Sequence, residues 1–352
     1  AVGVSSRIAR STDNGITWGS LVTHALGTSS LNVVTVVNNT VIAAGDNGII
    51  ARSTSDGLTW GNIISTPFGT SHIRALTTIN GVIIAAGESG KMSRSTDNGL
   101  TWSPLITPKP WGTSPIYALT TINGVVIAAG VSGVMARSTD NGLTWGSLIT
   151  NPFSTVAINI TSLTTINGVV IAAGQASGAN GSIARSTDNG LTWSSFITNP
   201  FGPGNVDALI TVDDVVIAMA IGKMAISTDN GLTWGAAYNP FGAYYMYAMT
   251  TINGVIIAAG ESGKIRRSTN KGLNWSSVTS PFGTSIIFAL TAVNDTLIAA
   301  GDSGKMAKST DNGLTWGSLI TNPFGTAKVY ALTAINDVVI AAGSSGKIAW
   351  TK

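Results

Sequence analysis

Side chains able to do acid–base, nucleophilic or metal chemistry are scarce: 16 Asp and Glu, two His (His24 and His72) and no Cys among 352 residues. The missing cysteines exclude disulfides, thiolate metal sites and cysteine nucleophiles, and leave the compartment open. Asp13, Asp56, Asp97, Asp140, Asp188, Asp229 and Asp311 fall in one recurring turn, and Asp46, Glu88, Glu261 and Asp302 open another. Asp213, Asp214, Asp295 and Asp337 lie in repeated turns as well, which leaves Asp207 standing by itself. A glycosidase places two carboxylates about the scissile bond, so one lone acid argues against hydrolysis. Nor would an acid needed once for catalysis be copied into every repeat. No metal and no cofactor are expected, because the recurring turn offers too few converging oxygens for calcium and two imidazoles too few nitrogens for zinc. The Gly-Lys pairs of Glu88-Ser89-Gly90-Lys91, Glu261-Ser262-Gly263-Lys264 and Asp302-Ser303-Gly304-Lys305 lack the spacing and the following helix of a phosphate loop. They read as solvated turn pairs worth up to about 1 kcal/mol.

The elements that carry these residues are written in the composition. Hydrophobic residues make up 44% against 10% charged, with 42 Gly and many Val, Ile, Thr, Ala and Ser, an all-β composition. The net charge of +3 is a small imbalance on a weakly charged chain and makes no nucleic-acid surface. Apolar runs such as Val125-Val126-Ile127-Ala128-Ala129 end at a Gly, far short of the roughly 20 residues a spanning helix needs, so no membrane insertion is expected. With no composition break or linker, residues 1–352 read as a single repetitive domain. The start at Ala1, with no signal segment, is expected of a processed piece of a longer precursor.

Self-similarity is strongest at Trp18, Trp60, Trp102, Trp145, Trp193, Trp234, Trp275 and Trp316, separated by 42, 42, 43, 48, 41, 41 and 41 residues. One unit reads as a strand over Ile116 to Ile122, an Asn123-Gly124 turn, and a second strand over Val125 to Gly130. A turn at Ser132-Gly133 and a third strand over Val134 to Ser138 follow. An Asp140-Asn141-Gly142 turn then leads to a fourth strand over Leu143 to Thr150. Asn-Gly pairs accept positive φ at little cost, which suits two-residue hairpins.

The third turn, Ser138-Thr139-Asp140-Asn141-Gly142-Leu143-Thr144-Trp145, resembles the Asp-box (BNR) motif, Ser-x-Asp-x-Gly-x-Thr-Trp. The motif recurs at Ser11 to Trp18, Ser95 to Trp102, Ser186 to Trp193, Ser227 to Trp234 and Ser309 to Trp316. It departs at Ser53 to Trp60, where Ser55 holds the Asp place, and at Ser268 to Trp275, where Asn270, Lys271 and Asn274 replace Asp, Asn and Thr. The resemblance covers nearly the whole chain and implies a β-propeller, a fold shared by sialidases, xyloglucanase-type hydrolases, sortilin-like receptors and photosystem assembly factors. Against the sialidase motifs, Arg7-Ile8-Ala9-Arg10 imitates an Arg-Ile-Pro start but is the ordinary repeat. The box acids Asp13, Asp97, Asp140, Asp188, Asp229 and Asp311 and the eight box tryptophans are read as structural. The carboxylate takes backbone N–H bonds, Gly takes the strained position, and Trp buries the hairpin.

Seven complete four-strand units run from Leu31 to about Asn322. Joining the two terminal fragments gives a propeller of about eight four-stranded blades, with seven or nine as alternatives. The third strand is present twice, as Arg7 to Ser11 and as Lys347 to Thr351, so one copy is surplus.

Where near-identical repeats differ, positions are free for a unique task. Before the innermost Ala-Leu-Thr, one series reads Ser30, His72, Pro115, Asn159, Asn205, Tyr245, Ile286, Lys328. A second reads Asn32, Arg74, Tyr117, Thr161, Asp207, Tyr247, Phe288, Tyr330. These are expected to ring the axial mouth on the face away from the boxes. The Asn-Pro-Phe-Gly loops, as at Asn151-Pro152-Phe153 and Asn322-Pro323-Phe324, are expected to plug the space between blades, and Arg10, Arg52, Arg94, Arg137, Arg185, Arg267 and Lys308 to cover blade surfaces. Two loops stand out: Pro108-Lys109-Pro110-Trp111, and the cluster Tyr238, Tyr244, Tyr245, Tyr247. Aromatic faces with hydroxyls suit sugar rings and protein anchors. The expected ligand surface is therefore Arg74, Trp111, Tyr117, Asp207, Tyr244, Tyr245, Tyr247 and Tyr330. The expected role is a non-catalytic binding module for a glycan or surface receptor, placed extracellularly, on a cell surface or on a virion. The alternative is a scaffold component of a phage particle or surface fibre. Glycoside hydrolysis ranks last.

Overall fold

The computed structural model describes residues 8–13, 29, 31–56, 58–61, 64, 66–150, 153, 158–176, 182–194, 200–201, 205–220, 223–242, 244–320, 324–326, 328–335 and 338–343. His24, Ser30, Trp18, Asn151-Pro152, Asn322-Pro323, Asp337 and the Lys347 to Thr351 strand lie outside them. The chain forms two compact units, Pro67–Pro240 and the pair Ala1–Thr66 with Phe241–Lys352.

The Pro67–Pro240 unit holds four antiparallel three-stranded sheets. They are Ile73–Ile79, Val82–Gly87, Met92–Ser95; Ile116–Ile122, Val125–Gly130, Met135–Ser138; Ile158–Ile166, Val169–Ala176, Ser182–Ser186; and Ala208–Val212, Val215–Ala220, Lys223–Ser227. The other unit also holds four sheets. Leu31–Val37, Thr40–Gly45 and Ile50–Ser53 form one, and Ile287–Val293, Thr296–Gly301 and Met306–Ser309 another. Met246–Ile252, Val255–Gly260, Ile265–Ser268 and Ser276–Val278 form the one four-stranded sheet among the described residues. The last joins the chain ends: Ile8–Ser11 pairs with Val338–Gly343, Ile8 opposite Ala342, and Val329–Ile335 lies on the other side. The N-terminal copy of the duplicated strand is thus the one that completes this sheet.

The unbroken apolar middle strands carry a hidden period of two. In Val125–Gly130, Val126 and Ala128 pack with Ile84, Ala86 and Ala136, while Ile127 and Ala129 pack with Ile158, Val170 and Ala172. Alternate side chains point to opposite faces, so a strand buried between two neighbouring sheets must be apolar at every position. All six residues are buried.

The fourth strands are mostly not regular strands. In the typical repeat the outer segment only donates, Gly146 N–H to Arg137 O (3.0 Å) and Ile149 N–H to Met135 O (2.9 Å), with no reciprocal bond. Its side chains Ser147 and Leu148 are exposed, so little burial tightens the pairing. Ser276–Val278 is the exception and pairs with Ile265–Ser268, Val278 opposite Ile265 and Ser276 opposite Arg267.

Candidate binding surface

Each sheet has one end that its neighbours copy and one that they do not. At the copied end, Ser138 Oγ donates to Asp140 Oδ1 (2.7 Å) and accepts the Gly142 N–H (2.9 Å). Asp140 also takes the Thr144 N–H (2.9 Å) and hydroxyl (2.5 Å). The same set surrounds Asp97, Asp188, Asp229 and Asp311, and Asp13 takes the Ser11 hydroxyl. The two departures keep the geometry with neutral oxygens: Thr59 N–H reaches Ser55 Oγ (2.8 Å) and Asn274 N–H reaches Asn270 Oδ1 (2.9 Å). Desolvation works against charge on these carboxyls, but the Thr hydroxyl, the Thr N–H and the Ser hydroxyl outweigh it and hold all five below the ordinary range, Asp311 at about 2. The oxygens are consumed by the turn itself.

This end also joins neighbouring sheets, which the repeat pattern did not reveal. Gly142 has φ +76, and a Cβ there would stand 2.5 Å from Ile84 Cδ1 of the preceding sheet; Gly190 meets Ile127, Gly231 meets Ile171 and Gly313 meets Ile257 alike. The hairpin asparagine donates to the turn asparagine of the next sheet, Asn80 to Asn141 (2.9 Å), Asn123 to Asn189 (2.8 Å), Asn167 to Asn230 (3.0 Å) and Asn253 to Asn312 (3.0 Å). Arg185 Nε and Arg267 Nε reach the carbonyls of Asn230 and Asn312, so these two of the basic series tie sheets together rather than merely cover them. The tryptophans split: Trp60 and Trp145 are buried, while Trp102, Trp193, Trp234, Trp275 and Trp316 are half-buried. Burial of the hairpin by Trp is therefore partial in most repeats.

At the other end, the first strand of seven sheets carries a bulge, and the unpaired residue is Asn32, Arg74, Tyr117, Thr161, Tyr247, Phe288 or Tyr330. These are the second variable series, Asp207 excepted. A bulge re-aims its side chain away from the ladder, so these positions vary without disturbing a pair.

In the unit that contains Phe241–Lys352, three adjacent sheets place aromatic residues at the bulge and form a strip. Tyr245 stacks on Tyr247 (6.3 Å, 18°), Tyr247 meets Phe288 (5.5 Å, 62°), and Phe288 meets Tyr330 (5.1 Å, 54°). Tyr244, Tyr245 and Tyr247 are 37%, 41% and 47% exposed; Phe288 and Tyr330 are half-buried. The charges beside the strip are engaged. Lys328 Nζ lies 3.2 Å from Asp302 Oδ1 and 5.5 Å from the Phe288 ring, and Lys264 Nζ sits 4.1 Å over the Tyr244 ring. Glu261 takes the Tyr245 N–H (3.0 Å), and its other oxygen lies 3.5 Å from the Tyr247 hydroxyl. Partial desolvation, then the Glu261 charge, raise the Tyr247 phenol above its usual range. Sequence comparison singled out Phe288 only as a variable position; the structure makes it the link between the tyrosines.

In the Pro67–Pro240 unit, Arg74 pairs with Glu88 (3.0 Å), Tyr117 is half-buried, and Asp207 is exposed before its strand, its N–H on Met219 O (2.7 Å). Trp111 is a correction. It is 4% exposed, donates Nε1–H to Gly90 O (2.9 Å) and packs edge-on against Trp145 at 5.1 Å. Pro110-Trp111-Gly112 holds the register of the Pro-Phe-Gly loops, whose Phe68, Phe201, Phe241, Phe282 and Phe324 are buried plugs, as is Phe153 of the Pro-Phe-Ser loop. An indole in that socket is core. The turn lysines are not merely solvated either: Lys91 and Lys305 donate to Phe68 O (2.7 Å) and Phe282 O (3.0 Å).

A cleft of ≈ 400 Å³ that shares no residue with the strip lies between the outer residues Ser277 to Pro281 and Leu314 to Ser318. It carries no ionisable side chain. Among the described residues, no three His, Asp or Glu converge as a metal set, and no helix is long and apolar enough to cross a membrane.

The all-β sheets and their repeated order define a β-propeller. The chain is similar to the computationally designed Ika8 protein (TM-score 0.69, 17% identity, 94% of this chain and 98% of that one). It is also similar to YCF48 bound to D1 peptide (TM-score 0.59, 16% identity, 80% and 91%) and to YCF48 from Cyanidioschyzon merolae (TM-score 0.52, 16% identity, 89% and 95%). At such identities the likeness speaks for the fold alone. No protein-family model and no curated protein matches the chain.

Proposed function

We propose that this propeller is a non-catalytic binding module, built from Asp-box repeats, that recognises a surface glycan outside the cell or on a virion through the strip Tyr245, Tyr247, Phe288 and Tyr330. The observation that carries the reading is the strip itself: two exposed tyrosines and two half-buried rings in contact, three of the four at bulges of adjacent sheets, with the neighbouring charges engaged inside the protein. Rings with free faces and hydroxyl groups suit a neutral polar ligand that stacks and hydrogen-bonds. Spending the box carboxylates on turn bonds favours binding over hydrolysis. A protein partner is the second reading, favoured by a propeller neighbour whose structure is that of YCF48 bound to D1 peptide. A glycan array followed by calorimetry tests the proposal. Tyr247→Ala should weaken binding about ten-fold or more, about 1.4 kcal/mol, with an unchanged melting curve. Binding that survives loss of both Tyr245 and Tyr247, or an array with no hit, sinks it.

A further inference from the structure

In five of the seven bulged sheets the residue fourteen positions after the bulge opens the second turn, the sheet with Thr161 having Gln175 of its middle strand there and the sheet with Tyr330 a residue outside the described ones, and in three of the five the two side chains meet. Asn32 Nδ2 donates to Asp46 Oδ1 (2.8 Å), Arg74 Nε donates to Glu88 Oε1 (3.0 Å), and Tyr247 faces Glu261. The exceptions follow the same logic. Phe288 has no polar atom to offer its Asp302, and that carboxylate turns to Lys328 of the next sheet. Tyr117 has Val131 at the turn position and is half-buried, whereas Tyr247, the same residue type at the equivalent bulge, has Glu261 there and is 47% exposed.

We infer that the turn-opening residue is a selector of the contact surface: Glu261 is a positioning residue that fixes the outward, stacked geometry of Tyr245 and Tyr247, and Val131 lets Tyr117 fold down. Glu261 does this from both ends of the pair. One oxygen anchors the backbone N–H of Tyr245 and the other faces the Tyr247 hydroxyl. With that hydroxyl turned toward a carboxylate, what Tyr247 offers outward is its ring face and its oxygen lone pairs, so the ligand group met there is a hydrogen-bond donor such as a sugar hydroxyl or an amide. The selector rests on the binding reading only for this last step; the geometry is tested without any ligand.

Two mirror-image substitutions test it by ultraviolet titration of the tyrosines. Glu261→Gln should shift the Tyr247 phenol pKa down, Tyr247→Phe identifying the signal, and Glu261→Asp should restore it because other sheets use Asp there. Val131→Glu should shift the Tyr117 phenol pKa up, Tyr117→Phe identifying the signal. Ring-to-ring nuclear Overhauser contacts between Tyr245 and Tyr247 should weaken in Glu261→Val. Unmoved phenols in Glu261→Gln and Val131→Glu, or a Tyr245–Tyr247 contact that persists in Glu261→Val, overturn the inference. Shifted phenols with no glycan hit uphold the selector and sink the proposed function.

Discussion

The two ends of one sheet obey different rules although eight sheets share one sequence pattern. At the Ser-Asp end, Gly142 rests on Ile84 of the preceding sheet and Asn141 accepts from Asn80, so a substitution disturbs two sheets at once. At the bulge end, Arg74 or Tyr247 engages a turn of its own sheet and the ladder passes it by. Sequence uniformity therefore marks where turns lock neighbouring sheets together, and variation marks where a side chain is released from the ladder.

The sharpest break of this contrast is Trp145→Ala. The ring is buried and packs on Trp111 at 5.1 Å, so denaturant melts should show a loss of about 3–5 kcal/mol. Gly142→Ala comes next: a left-handed backbone and a Cβ against Ile84 should cost about 2–4 kcal/mol. Pairing it with Ile84→Val should recover part of that loss, and strict additivity would mean that the joint between sheets is not where it hurts. Asp140→Ala should cost about 1–2 kcal/mol, and Asp140→Asn less, because Asn270 already serves in one repeat. Tyr247→Ala should move stability by less than about 0.5 kcal/mol.

Two solution experiments sharpen the same comparison. The five turn carboxyls are held below their ordinary 3.8, so their stabilisation is complete above that value and is lost as pH falls below it, through about 2 for Asp311. Melting temperature should drop across that window, and the Asp140→Asn protein should drop less. Chelator should leave the melting curve unmoved, since the turn oxygens are already occupied; a fall that calcium reverses would reassign the turn.

Repeat number, hairpin positions, the turn residues and the buried Phe plugs were legible in the sequence, because each follows from local chemistry: Asn-Gly for positive φ, Ser-x-Asp for a closed turn, Pro-Phe-Gly for a loop with an apolar anchor. The variable series was legible too, as departures among copies. Several decisions belonged to the tertiary structure. Trp111 was expected on the ligand surface, yet its place in the Pro-Phe-Gly register drops it into the socket beside Trp145. The bulge that frees Tyr247 and Phe288 leaves no mark in a period-two pattern, since it is a slip between two strands and not a property of one. The choice of which terminal strand pairs with Val338–Gly343 was likewise open, because the two copies read alike and only the assembled sheet distinguishes them. Sequence by itself determined what each repeat is able to form; contacts between repeats decided which aromatic rings are core and which are surface, because burial depends on the neighbour that arrives and not on the residue that waits.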